Sequence, residues 1–435
     1  MILKNISIVT EEIEVRNNVN VKINNDVIES IDEYNPEHDN KLEDSDEEVI
    51  IGDNLIMMPG FYNAHGHSPM SLMRGYGENM SLQDWLFKKI FPFEDHLTSE
   101  AVYYGTLLSI AESFKYGIVS TSDMYYFVED MVRAYSESGA KGNISRAIAN
   151  PEGVPFDELP SIDEMKAMCK KYHGSSDGRI IIDSSLHAEY TSDENTAIKL
   201  AELTKALGIR MHVHVSETKT EHEECKERHE GRTPIEYLRD SGLLDIPAIA
   251  AHCVWVEEKD LDIIKEKNVT IASNPVSNLK LASGIADVVG MREKGITVAI
   301  GTDSVASNNN LNMFEEMKTL MLLAKVKNMD PTLISPKEAL MMATRNGALA
   351  QGRENCGFIK EGFKADFLLI RTDSANMQPA HDIINNLVLS ATDSDIYMTV
   401  IDGKPVYREG VYTTIDLPKV IEGANKSVER ILKEL

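Results

Sequence analysis

The chain has 435 residues, 42% hydrophobic and 26% charged, with a formal net charge of −26. That length exceeds one ordinary core and predicts two domains or a large barrel with an annex. The negative charge argues against nucleic-acid and anionic-membrane partners, which select a basic face.

Residues 1–58 read as β structure. Short alternating runs stand at Ile2-Leu3, Ile6–Val9, Val19–Ile23 and Val27-Ile28, with Asn24-Asn25-Asp26 as a turn. The acidic stretch Glu33–Glu48 reads as a solvated loop rather than a cation or partner patch. Leu55-Ile56-Met57-Met58 is an apolar run that reads as one buried strand ending in His65-Gly66-His67. Residues i and i+2 of an extended chain point the same way, so the two imidazoles face one spot, a half-site for a cation such as Zn²⁺.

Strand and helix patterns then alternate. Thr98 caps a helix running to Gly117, followed by a strand at 118–121 and a helix at 128–138. Further strands are expected at 144–148, 180–182, 211–215, 248–251, 269–272 and 298–301, with helices between them. Counting the His-Gly-His strand gives eight β/α units, which close most simply as a (β/α)₈ barrel. An open doubly wound sheet competes, but no G-x-G-x-x-G follows the first strand.

Barrel chemistry sits at the carboxyl ends of the strands. Strand one ends in His65 and His67. Strand five carries His212 and His214, of which His214 is nearer the mouth and reads as the third ligand, with His212 a hydrogen-bonded core residue. Glu217 follows His214, His252 ends strand six, and Asp303 follows strand eight. Strand four ends in Ser184-Ser185-Leu186-His187 and offers no lysine to bridge two ions, so one metal is expected. An open metal position lowers the pKa of water to near 7. Asp303 can ligate and accept a proton, Glu217 is free to shuttle one to substrate, and His252 can orient the nucleophile.

These residues resemble the amidohydrolase superfamily, in its aminohydrolase branch of adenosine-type deaminases, guanine and cytosine deaminases and triazine hydrolases. The marks are Pro59-Gly60-Phe61, His65-Gly66-His67-Ser68-Pro69, Leu72-Met73-Arg74-Gly75, Asp84-Trp85-Leu86, His214-Val215-Ser216-Glu217, Ala251-His252-Cys253-Val254, Ser273-Asn274-Pro275, Asn278-Leu279-Lys280-Leu281 and Gly301-Thr302-Asp303. Within that branch the chain looks most similar to S-adenosylhomocysteine/5′-methylthioadenosine deaminases. The resemblance implies a barrel over 59–354 and a β-sandwich from 1–58 plus 355–420, with a final helix at 421–435. It implies one zinc per subunit, or iron or manganese in its place, on His65, His67, His214 and Asp303, with proton transfer by Glu217.

The same resemblance puts Glu94 on a ribose diol, His187 on the purine, Arg146 at the far end of the substrate and Trp85 in the pocket. The partner is then a small nucleoside, the assembly a homo-oligomer. The family's second arginine after Arg146 is missing. The loop 150–158 is acidic instead, which favours uncharged 5′ substituents over the homocysteine carboxylate. Other heterocycles (guanine, a pterin, cytosine, a triazine) and an inactive scaffold are the alternatives. Four scattered cysteines, no signal peptide and no membrane-length apolar run point to the cytoplasm.

Overall fold

Gly60 divides two sheets. Its N–H donates to the Asp366 carbonyl of the terminal sheet, while the N–H of the next residue, Phe61, donates to the Gly117 carbonyl at the foot of the barrel. A Cβ at position 60 would lie 2.4 Å from Val119 Cγ1, so only glycine lets the chain pass here. The computed structural model describes residues 1–39 and 47–435.

The amino-terminal part supplies β1 (Ile2–Val9), β2 (Val15–Asn24), β3 (Val27–Glu33), β4 (Val49–Ile51) and β5 (Leu55–Pro59). Of the expected acidic loop at 33–48, residues 40–46 lie outside the described residues, and Pro36–Asp39 form a short helical turn. The barrel is built from β6 (Phe61–Gly66), β7 (Ile118–Tyr125), β8 (Lys141–Ile148), β9 (Ile180–Leu186), β10 (Met211–Val215), β11 (Ala248–His252), β12 (Thr270–Ser273) and β13 (Val298–Ile300). The carboxyl-terminal part adds β14 (Phe367–Arg371), β15 (Ile396–Ile401), β16 (Lys404–Arg408) and β17 (Val411–Tyr412).

Strands β6 to β13 pair in sequence order, every pair parallel. A parallel bridge between Gly66 and Asp303 closes the ring, and the Asp303 N–H donates to the His65 carbonyl at 3.0 Å. Helices cover the outside. The one at Ser99–Lys115 starts where the Thr98 hydroxyl accepts the Ala101 N–H, and Gly117 follows at φ 77°.

The apolar run at 55–58 needs correcting. It does not lead the histidines out as one strand, because it is β5 of the terminal sheet, antiparallel to β14 and parallel to β1. Its residues are apolar throughout because both faces are buried. Leu55 and Met57 enter the sheet's own core with Phe367 and Leu369, while Ile56 and Met58 pack toward the barrel with Leu368 and Ile370. Both chain ends thus join in one nine-stranded mixed sheet that buries a core of its own. The final helix starts at Leu417 rather than 421, because Asp416 accepts the Lys419 N–H and Pro418 suits its first turn.

Candidate active site

Strand β10 shows how the sequence aims imidazoles inward. Met211, Val213 and Val215 join the apolar layer beneath the helices, so the alternate residues His212 and His214 face the barrel interior. Small residues make room there: Ala64, Ala272 and Ala299 cluster with Ile249 inside the ring.

At the carboxyl ends, four donors converge. His67 Nε2 lies 3.2 Å from His214 Nε2 and 3.4 Å from Asp303 Oδ1, and His65 Nε2 lies 3.5 Å from that same carboxylate oxygen. Atoms about 2.0–2.2 Å from one ion at tetrahedral angles stand about 3.3–3.6 Å apart, so these spacings fit a single bound metal. His65 Nε2 is buried and has no hydrogen-bond partner, as a ligand atom aimed at an ion would be.

The remaining polar atoms of these residues are held from behind. His67 Nδ1 donates to the Met124 carbonyl at 2.6 Å, and His214 Nδ1 to the His187 carbonyl at 2.6 Å. Each bond fixes the tautomer that leaves Nε2 free to ligate. His65 Nδ1 shares a 2.9 Å bond with His212 Nε2, so His212 stands behind the first imidazole. Asp303 Oδ2 accepts from Ser277 Oγ at 2.5 Å and Ser307 Oγ at 3.0 Å, leaving Oδ1 toward the histidines.

Burial lowers the pKa of His65 to about 3 and that of His187 to about 4, and pushes His212 and His214 well down. Neutral imidazoles are the form that binds a cation. Burial alone would raise Asp303, but the imidazoles of His65, His252 and His67 outweigh it and keep the carboxylate ionised.

Beside these donors stand Glu217 and His252. Burial raises the Glu217 carboxyl, although His252 opposes this. Its Oε1 accepts from Ser283 Oγ at 3.2 Å, and its Oε2 lies 3.9 Å from His252 Nε2. Asn278 Oδ1 holds His252 Nδ1 at 2.8 Å. Glu221 accepts the backbone N–H groups of Ser216 and Glu217, both at 2.7 Å, and so fixes the turn that presents Glu217. Ser216 (φ 49°), His252 (φ 73°) and Asp303 (φ 58°) all lie in the left-handed region. With Cys253 (φ 49°), four non-glycine residues at this mouth hold that conformation.

The structure brings Trp85, Glu94, His187, Glu217, His252 and Asp303 to the wall of one cavity with His67 and His214, and His65 lies beneath them. Burial raises Glu94 to about 7, against the 2.6 Å hydrogen bond that Tyr125 Oη donates to its Oε1. Arg146 is not on that wall. It lies in an adjoining hollow, with Nε 2.8 Å from Glu164 Oε2. The acidic residues of the 150–158 loop do not line that hollow.

The sequence assigns no role to Ser277, Asn278, Glu221, Tyr125 or Glu164. Only Glu221 carried a local signal, the Thr218-x-x-Glu221 spacing of a capping box.

Residues 56–406 match the Amidohydrolase family. The chain is 38% identical over 434 residues to a 5-methylthioadenosine/S-adenosylhomocysteine deaminase of Dictyoglomus turgidum, covering 100% of this chain and 99% of that one. It is 41% identical over 390 residues to a protein of the same name from Acetivibrio thermocellus, covering 88% and 89%. The crystal structure of an adenosine deaminase from Xanthomonas campestris with bound zinc superposes with a TM-score of 0.91 at 28% identity, over 99% of this chain and 98% of that one.

Proposed function

The chain belongs to the amidohydrolase family, and from that premise we propose that it hydrolyses the 6-amino group of an adenosine-type nucleoside to the 6-oxo form, releasing ammonia. Relatives named for 5′-methylthioadenosine and S-adenosylhomocysteine support this reading over the whole chain. The observation that carries it is the presence of Glu94 and Glu217 in one cavity with three of the four metal-spaced donors.

His65, His67, His214 and Asp303 would hold one divalent ion, which we take to be zinc. A cation there supplies Lewis acidity that makes water a nucleophile at neutral pH. The chain's own groups do the rest. Glu217, kept in reach of His252, takes a proton from the attacking water and delivers it to the ring nitrogen beside the amino-bearing carbon. The proton left on the added oxygen then passes to the amino group, the C–N bond breaks, ammonia leaves and the 6-oxo group remains. His252 Nε2 faces the developing oxyanion, and Asn278 holds its ring in place. Glu94 accepts hydrogen bonds from the ribose hydroxyls, His187 and Trp85 bound the base, and Arg146 stands beyond Glu94.

The test is ammonia release by the zinc-loaded protein from adenosine, 5′-methylthioadenosine, S-adenosylhomocysteine, guanine and a chlorotriazine. Release from the adenosines, lost in Glu217→Gln with metal retained, is the expected result. Ammonia from guanine alone, or chloride from the triazine, would overturn the nucleoside assignment.

A further inference from the structure

The hollow beside the main cavity shares Phe91, Glu94 and Tyr126 with it, so a ligand seated against Glu94 continues into this space. Beyond them it is lined by Arg146, Glu164 and Phe127. A lone arginine there would recruit an anion, but this one is already engaged. Its Nε–H donates to Glu164 Oε2 at 2.8 Å, and its guanidinium lies over the Tyr126 ring at 4.7 Å. An Nη1–H is directed to the Ala147 carbonyl.

Glu164 is itself fixed from two sides. Its other oxygen accepts the Val128 N–H at 3.3 Å, from the first turn of the helix Val128–Ser138. Phe127, at φ 54°, turns the chain into that helix and stands 38% exposed at the hollow. With Glu94 and Asp95 the lining carries three carboxylates. The charge facing a ligand is therefore one guanidinium already paired and further acid, set among aromatic rings.

We infer that Glu164 is a specificity-determining residue: by pairing with Arg146 it makes this subsite take an uncharged, apolar 5′ substituent and reject one that ends in a carboxylate. The inference rests on the deaminase reading above and names which of its substrates the subsite prefers. A terminal carboxylate meets Glu164 and Asp95 and finds Arg146 with its charge already answered by Glu164 and an Nη1–H directed to a carbonyl, whereas an alkylthio group meets the faces of Phe91, Tyr126 and Phe127.

The experiment compares kcat/KM for S-adenosylhomocysteine and for its carboxamide, which has the same shape but replaces the carboxylate with an uncharged group. The unaltered zinc-loaded protein prefers the amide by about ten-fold, the scale of one charge-assisted hydrogen bond. In Glu164→Gln, which frees the guanidinium, that preference shrinks to parity or reverses. The measurement on the unaltered protein needs no folded variant: equal rates for acid and amide overturn the inference. So does an amide preference that persists unchanged in a folded Glu164→Gln protein. Ammonia from neither compound, nor from 5′-methylthioadenosine, overturns the deaminase reading and this inference with it. Ammonia release with an unmoved ratio removes this inference alone.

Discussion

Two clusters of buried ionisable side chains occupy opposite ends of the barrel strands. At the amino ends, Lys141 opens β8 and pairs with Asp366 and with Asp402 Oδ1, the latter at 2.7 Å. Asp366 also accepts Tyr62 Oη at 2.5 Å and the Asp402 N–H at 2.9 Å. Burial would raise the Asp366 carboxyl, but Lys141 outweighs it and holds the group below its ordinary range. At the carboxyl ends, four imidazoles and a carboxylate crowd together with no lysine or arginine among them, and His65 Nε2 points at no partner. One cluster sets two carboxylates around a single ammonium and joins the barrel to the terminal sheet. The other leaves donor atoms facing a common point, which costs stability unless a cation arrives.

The comparison breaks if the two ends respond alike to substitution. The largest effect is expected at the mouth. Glu217→Gln should lower kcat by about 10²–10⁴-fold, the range for a positioned acid–base group. Its zinc content and thermal midpoint should match the unaltered protein, as metal analysis and calorimetry would show. Lys141→Met should do the reverse. Stranding two buried carboxylates costs about 3–5 kcal/mol of stability, read in a urea titration, while kcat of the folded protein holds.

Chelation sharpens the contrast. Removing the metal should abolish turnover and lower the unfolding midpoint, and excess zinc should restore stability by about 4 kcal/mol at a thousand times its dissociation constant. A midpoint indifferent to zinc would remove the cation from the account. Asn278→Leu frees the ring of His252 and should lower kcat about ten-fold with KM nearly constant.

The smallest effect concerns pH. Glu94 titrates near 7, so below that pH its carboxyl is protonated and has lost acceptor capacity. The KM for a nucleoside should fall as pH rises through about 7. Glu94→Gln should flatten that dependence, and a profile identical in the variant would assign the titration elsewhere.

Much of the site was legible because its signals are local. The alternation Met211–Val215 puts two histidines on one face, and His65-Gly66-His67 does the same at the end of β6. The helix at 128–138 was also readable. The run at 55–58 was misread because a strand buried on both faces carries no alternation to say which sheet it joins. The absence of an arginine from the 150–158 loop was visible, but the acid that matters to Arg146 was not. Glu164 lies 18 positions further along, on the helix Pro160–Tyr172, and reads there as one more exposed helix carboxylate.

The sequence by itself determined the barrel and set three histidines and Asp303 at its strand ends, because strand period and residue type act over a few residues. Only the tertiary structure decided that β5 leaves the barrel, that Asn278 and Ser277 hold His252 and Asp303, and that Glu164 occupies Arg146. Each of those depends on a contact between segments whose separation along the chain carries no periodic signal, so packing alone brings them together.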